Sequence, residues 1–148
     1  MILDILRPSP QMKILLIGSG LNELVELFGD FISPHNGVMD IYSYDESIFT
    51  HNSISKCTTI TNYPPFGSRE YEYVIAKDIP TDIKLLKLLY RSMENSAEII
   101  MLHKSNHDLN IEELLESCEF RTPNTIYGIY KDLEITVAKK LHMWGNGL

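Results

Sequence analysis

The sequence predicts an open α/β sheet that closes with an antiparallel hairpin. Three observations predict it. Residues 13–28 read as strand, glycine turn and helix. Further β-rich or apolar runs recur at 38–44, 57–61, 71–76 and 97–102, with helical or loop segments between them. Residues 125–130 and 133–139 are two more such runs, joined only by Lys131-Asp132. Strands alternating with helices give a parallel sheet, whereas a two-residue connection allows only antiparallel neighbours.

Residues 1–12 precede the first strand. Ile2, Leu3, Ile5 and Leu6 suit a short helical turn or an added edge strand, and Pro8 and Pro10 then stop regular structure. Met1, Ile2 and Leu6 are read as internal packing, with a subunit contact as the alternative. Lys13 is followed by four apolar residues, Ile14 to Ile17, which suits a strand buried on both faces. Gly18-Ser19-Gly20 breaks the run. Leu21, Leu24, Val25, Leu27 and Phe28 then recur at helical spacing. Glycine allows a sharp turn and close approach to a ligand, and the N–H groups of a helix start favour an anion or carboxylate. This is the opening unit of a nucleotide-binding domain, or else an ordinary tight turn that holds nothing. The fingerprint G-x-G-x-x-G is incomplete, because Glu23 stands at the third glycine. A carboxylate there would repel a pyrophosphate, so the turn suits a cofactor without one better than a nicotinamide dinucleotide.

Residues 29–37, with Pro34, read as a turn region, and 38–44 as the second strand ending at Asp45. An acidic residue at that place can accept hydrogen bonds from ribose hydroxyls. The alternatives are a solvent-facing loop aspartate or a cap for residues 46–49. Residues 50–56 leave room for about one turn of helix before the third strand at 57–61. Asn62-Tyr63-Pro64-Pro65-Phe66-Gly67 is a stiff connector. It is superficially similar to the Asn-Pro-Pro-Tyr loop of amino-methylating enzymes, but a tyrosine interrupts it and it falls before the fourth strand.

The fourth strand, 71–76, leads into Lys77-Asp78-Ile79-Pro80. Ligands of open α/β sheets bind beyond strand carboxyl ends, which places Lys77 and Asp78 near the presumed site. Thr81 or Asp82 caps a helix carrying Ile83, Leu85, Leu86, Leu88, Leu89 and Met93, and Glu94-Asn95-Ser96 ends it. The fifth strand, 97–102, is followed by His103. Residues 106–110 form a polar linker, and 111–118 a short helix with Leu114 and Leu115 inward. The tail, 142–148, is too rich in glycine for an element, and Trp144 packs on the sheet or meets a partner.

The 148 residues suit one domain, 1–148, with a true core. A formal charge of -7 opposes broad nucleic-acid binding. Cys57 and Cys118 form no disulfide framework or metal spacing, no leader is read at the N-terminus, and no apolar run suits a membrane span. A cytoplasmic protein with free thiols is expected.

This plan resembles the class I S-adenosylmethionine-dependent methyltransferases over most of residues 12–141. Ile17-Gly18-Ser19-Gly20 is similar to the family's glycine loop, and Asp45 to the acidic residue that holds the cofactor ribose. Residues 76–80 are similar to the segment lining the cofactor and acceptor pocket, and Glu119-Phe120-Arg121 to the lead into the sixth strand. The resemblance implies a Rossmann-like sheet of order 3-2-1-4-5-7-6. It implies S-adenosylmethionine as cofactor, held by Gly18, Ser19, Gly20, Asp45, Ala76 and Asp78. The methyl acceptor stays open among a small molecule, a protein and, against the net charge, RNA. The sequence also departs from the family. Its first strand ends without an acidic residue, Asn22 stands at a usual glycine, and Asn95-Ser96 replaces a usual Pro-Gly. No segment reads as the helices or insertions that commonly form an acceptor pocket, so dimerisation is an expected way to complete the site.

Methyl transfer needs an acceptor held in line and sometimes a proton removed. Asp78 and His103, then Lys77 and Tyr63, are the candidate groups. A loop histidine more often has an ordinary structural role, and a zinc site at His103, His107 and Asp108 is a remote reading. Three functions follow: a small methyltransferase-like enzyme, a cofactor-free interaction or structural protein on the same fold, and, least supported, a nicotinamide-dependent oxidoreductase.

Overall fold

The structure is a computed structural model that describes residues 2–45, 48, 50–60, 63, 66–105 and 109–141. Among these, seven strands form one sheet: β1 (Lys13–Gly18), β2 (Val38–Ser43), β3 (Ile54–Thr59), β4 (Tyr71–Lys77), β5 (Met93–His103), β6 (Arg121–Tyr130) and β7 (Leu133–Lys139). Their order is β3-β2-β1-β4-β5-β7-β6, as expected. Pairs from β3 through β5 are parallel, and β7 is antiparallel to both β5 and β6. The helices are α1 (Asn22–Ile32), α2 (Ile83–Ser92) and α3 (Ile111–Ser117), with 3-10 turns at Ile2–Ile5 and Ser33–His35.

Side-chain alternation splits the core in two. On one face Leu24, Phe28 and Ile32 of α1 cover Ile14, Leu16, Ile41, Ile75 and Ile100. On the other, Leu85, Leu86 and Leu89 of α2 and Leu115 of α3 cover Leu15, Ile17, Val74, Ile99 and Met101. The central strands are thus apolar on both faces, which is why β1 reads as a continuous apolar run. Ile2 and Leu6 are buried in the α1-side core, so they pack on their own chain.

Four element readings change. Residues 29–37 are not all turn, because α1 continues to Ile32 and a 3-10 turn follows. Gly29 is a buried helix position rather than a helix stop. A Cβ on it would meet Met39 and His51 side chains at 2.7 Å, so its small size lets α1 lie close to β2. Residues 94–96 do not form a turn after α2. The chain passes straight from Ser92 into β5, and the Ser96 amide donates to the Lys140 carbonyl at 2.7 Å. The β6 strand begins at Arg121 and takes in Pro123, which an edge strand with a bulge tolerates. The β3 strand starts three residues earlier than the apolar pattern suggests, since backbone pairing with β2 rather than burial defines it. In α3, Ile111 and Leu115 are buried and Leu114 is partly so. Residues 46, 47 and 49 of the cap reading, Pro64 and Pro65 of the connector, His107, Asp108 and Trp144 lie outside the described residues. Among the described residues no helix is long and apolar enough to cross a membrane.

A carboxylate is buried inside the sheet. Asp40 of β2 is 1% exposed, and its Oδ2 accepts a 2.6 Å hydrogen bond from the Tyr71 hydroxyl, with Lys13 Nζ at 3.7 Å. Its Oδ1 has no hydrogen-bond partner. Burial, then the Asp40 carboxylate, pushes the Tyr71 hydroxyl far above the usual phenol range. A folded-state pKa above the unfolded value of about 10 means stability falls as pH rises past that point. Alkaline denaturation followed by circular dichroism is expected to show this loss, with a shallower slope in Tyr71→Phe. At neutral pH that variant is expected to lose about 1–3 kcal/mol in urea titration, because it leaves a buried carboxylate oxygen unsatisfied. Phe28→Ala is expected to cost about 3–5 kcal/mol by the same measurement.

Candidate functional site

Strand order turns at β1, whose neighbours are β2 and β4, and the carboxyl ends of these three strands form the candidate site. Gly18 ends β1 at φ +139°, where a Cβ would lie 1.8 Å from the Lys77 carbonyl oxygen. Only glycine permits that approach. It lets the Ser19 amide donate to the Lys77 carbonyl at 3.0 Å, which ties the turn to the end of β4. The Tyr44 amide donates to the Gly18 carbonyl at 2.9 Å, which ties it to the end of β2. Gly20, at φ +62°, donates its amide to Asp45 Oδ1 at 3.3 Å. Gly18, Ser19, Gly20 and Asp45 therefore come together. Leu21 at the N-cap of α1 makes no side-chain capping bond.

Asp78 also lies at this edge. It adopts φ +52°, its amide donates to Leu102 at 3.1 Å, and its Oδ2 is 3.4 Å from Lys77 Nζ. Ala76 is 1% exposed and belongs to the core under α2. Lys77 lies at this edge, where its place after the fourth strand puts it, and its contact with the turn is what no local pattern indicates. Its ammonium donates to the Ser19 carbonyl at 3.1 Å and lies 2.8 Å from where a Gly20 Cβ would be. A cation thus covers the glycine turn.

Glu23 is paired with Lys131 of the β6–β7 turn, and that bond holds its carboxyl below the usual range. The charge read as repelling a pyrophosphate is therefore partnered, and it fastens α1 to the hairpin. The Tyr63 hydroxyl donates to Asp82, which in turn accepts from the Lys84 amide at 2.9 Å, and Lys84 Nζ lies 4.4 Å from the Tyr63 ring centre. Tyr63 thus supports the start of α2 rather than the glycine turn. His103 faces β7 through Nε2, 2.8 Å from Thr136 Oγ1. Among the described residues no three His, Cys, Asp or Glu side chains form a metal-binding group.

No family model matches the sequence, and no curated protein matches it. Solved structures do match. A SAM-dependent methyltransferase from Aquifex aeolicus superposes with TM-score 0.73 at 13% identity, over 95% of this chain and 88% of that one. The CurJ carbon methyltransferase gives 0.74 at 13% identity, over 95% and 51%. Haemonchus contortus phosphoethanolamine N-methyltransferase 2, in complex with S-adenosyl-L-methionine, gives 0.67 at 10% identity, over 95% and 51%. The chain spans about half the length of the last two. The fold is that of the class I S-adenosylmethionine-dependent methyltransferases.

The residues at the edge fit an adenosine-bearing amino acid. Asp45 is an acceptor at the end of β2, and a carboxylate has acceptor positions beyond the one that Gly20 uses. Gly18 and Gly20 bring no side chain to the turn at the end of β1. Lys77 offers a cation to a ligand carboxylate.

Gly18→Ala is expected to cost at least about 3 kcal/mol in urea denaturation, because main chain blocks its Cβ. Gly20→Ala is expected to cost about 1 kcal/mol, since only a flexible lysine end must move and the backbone strain is that of one αL residue.

Proposed function

We propose that this protein binds S-adenosylmethionine at the β1–β2–β4 edge and acts as a methyltransferase on a small-molecule acceptor. The observation that carries the reading is the 3.3 Å bond from the Gly20 amide to Asp45. It sets an acidic acceptor beside a glycine turn at the switch point of the sheet. When bound, S-adenosylmethionine supplies a methyl group already activated on a sulfonium. The protein then has to bind, orient and exclude water. Asp45 accepts from the ribose hydroxyls, Gly18 and Gly20 shape the turn, and Lys77, seated over it, meets the carboxylate. Asp78, beside Lys77, is the nearest candidate for holding an acceptor proton.

Calorimetric titration with S-adenosylhomocysteine tests the reading. Binding is expected in the micromolar range, weakened by about 10–100-fold in Asp45→Ala, and weakened also in Lys77→Met. Absence of heat in a folded sample would overturn it.

A second reading is a cofactor-free interaction protein on this fold. The Lys77 ammonium, seated over the turn and bonded to Ser19, is the observation that favours it. Under that reading the native chain gives no heat and Lys77→Met does not restore any. We further propose that the chain forms a homodimer. Light scattering is expected to return twice the 17.0 kDa chain mass, and a monomer at high concentration would count against it.

A further inference from the structure

A second concave site lies on the α3 face, over β5, β7 and β6. It is a cavity of about 580 Å³, within the range of small-molecule sites. Strand alternation builds its floor. His103 pairs in register with Glu134, and Thr125 with Thr136, so these side chains share one face of the sheet. The Thr125 hydroxyl lies 2.9 Å from Thr136 Oγ1 and donates to Glu112 Oε2 at 2.6 Å. With the 2.8 Å contact from Thr136 to His103, a continuous hydrogen-bonded chain runs from Glu112 on α3 to His103 on β5. Glu134 Oε2 lies 3.9 Å from His103 Nδ1 at the far end of that chain.

The lining is chemically one-sided. Glu112, Glu113 and Glu134 line the cavity, and no lysine or arginine is among the described residues that do. Tyr127 completes the wall and is 69% exposed, an unusual state for an aromatic residue. Carboxylates with an aromatic face are the pairing that recognises organic cations: the charge meets the carboxylates and the polarised C–H and N–H groups meet the ring. The volume exceeds what a bare ion needs, and the Thr125 hydroxyl oxygen in the lining has acceptor capacity for an ammonium.

We propose that this cavity binds a small organic ammonium ion. Binding requires no cofactor.

The test uses the full chain, with benzylamine and spermidine as cationic probes and benzyl alcohol as the neutral match of the first. Amide NMR shifts are expected to saturate with at least one amine, centred on residues 103–105, 109–113, 125–127 and 134. Benzyl alcohol is expected to bind about tenfold or more weakly than benzylamine, or not at all. Glu112→Gln with Glu134→Gln is expected to lower amine affinity by at least about tenfold, whereas Glu26→Gln, which removes a charge from exposed α1 surface, changes it less than about twofold. Tyr127→Ala, at an exposed position that leaves the core intact, provides a second arm and is expected to weaken binding severalfold. No saturable shift with either amine up to about 10 mM would overturn the proposal. So would equal affinity for benzyl alcohol and benzylamine, or equal losses in Glu26→Gln and the cavity variants.

Discussion

The close approach of β1 and β4 at Gly18 is the constraint on which the carboxyl edge depends. The Ser19 amide and the Lys77 carbonyl meet at 3.0 Å only because residue 18 has no Cβ. That contact turns the chain out of the sheet and aims α1 across one face. It also brings Gly20 within reach of Asp45, and so joins the ends of three strands in one hydrogen-bonded rim. A turn with a side chain at residue 18 would part the strands, and the candidate ligand groups would part with them.

Lys77 gives this rim its electrostatic character. It lies at the end of β4, is only partly exposed, and bonds to both the turn and the side chain of Asp78. The same ammonium serves a carboxylate-bearing ligand and opposes a cationic one. Lys77 thus sets the sign of the charge that any ligand at this rim would meet. The hairpin makes a separate contribution. Lys131 at its turn holds Glu23 on α1, while its strands form the floor of the acid-lined cavity on the opposite face. One antiparallel unit thus braces the first helix and shapes a second concavity.

The fold was largely legible in the sequence because it rests on local periodicity. Apolar runs marked the parallel strands, β1 above all, and β7 was read with its observed boundaries. Long-range bonds moved the other boundaries. Gly29 looks like a helix stop, yet it is the close-packing position of α1 against β2. Residues 94–96 look like a turn, yet pairing with the chain at Lys140 holds them in β5. Asp40 sits in a β-rich run with nothing local to show that Tyr71, far along the chain, would be its partner.

The sequence by itself determined the order of elements, the glycine turn and the acidic residue after the second strand. These depend on backbone permissiveness and on a spacing of 25 residues between Gly20 and Asp45. Tertiary structure alone decided that the two touch, that Lys77 covers the turn, and that Glu112, Thr125, Thr136 and His103 form one chain. Those contacts join residues from different strands and helices. Which side chains meet is set by strand order and register, and no local pattern carries that information.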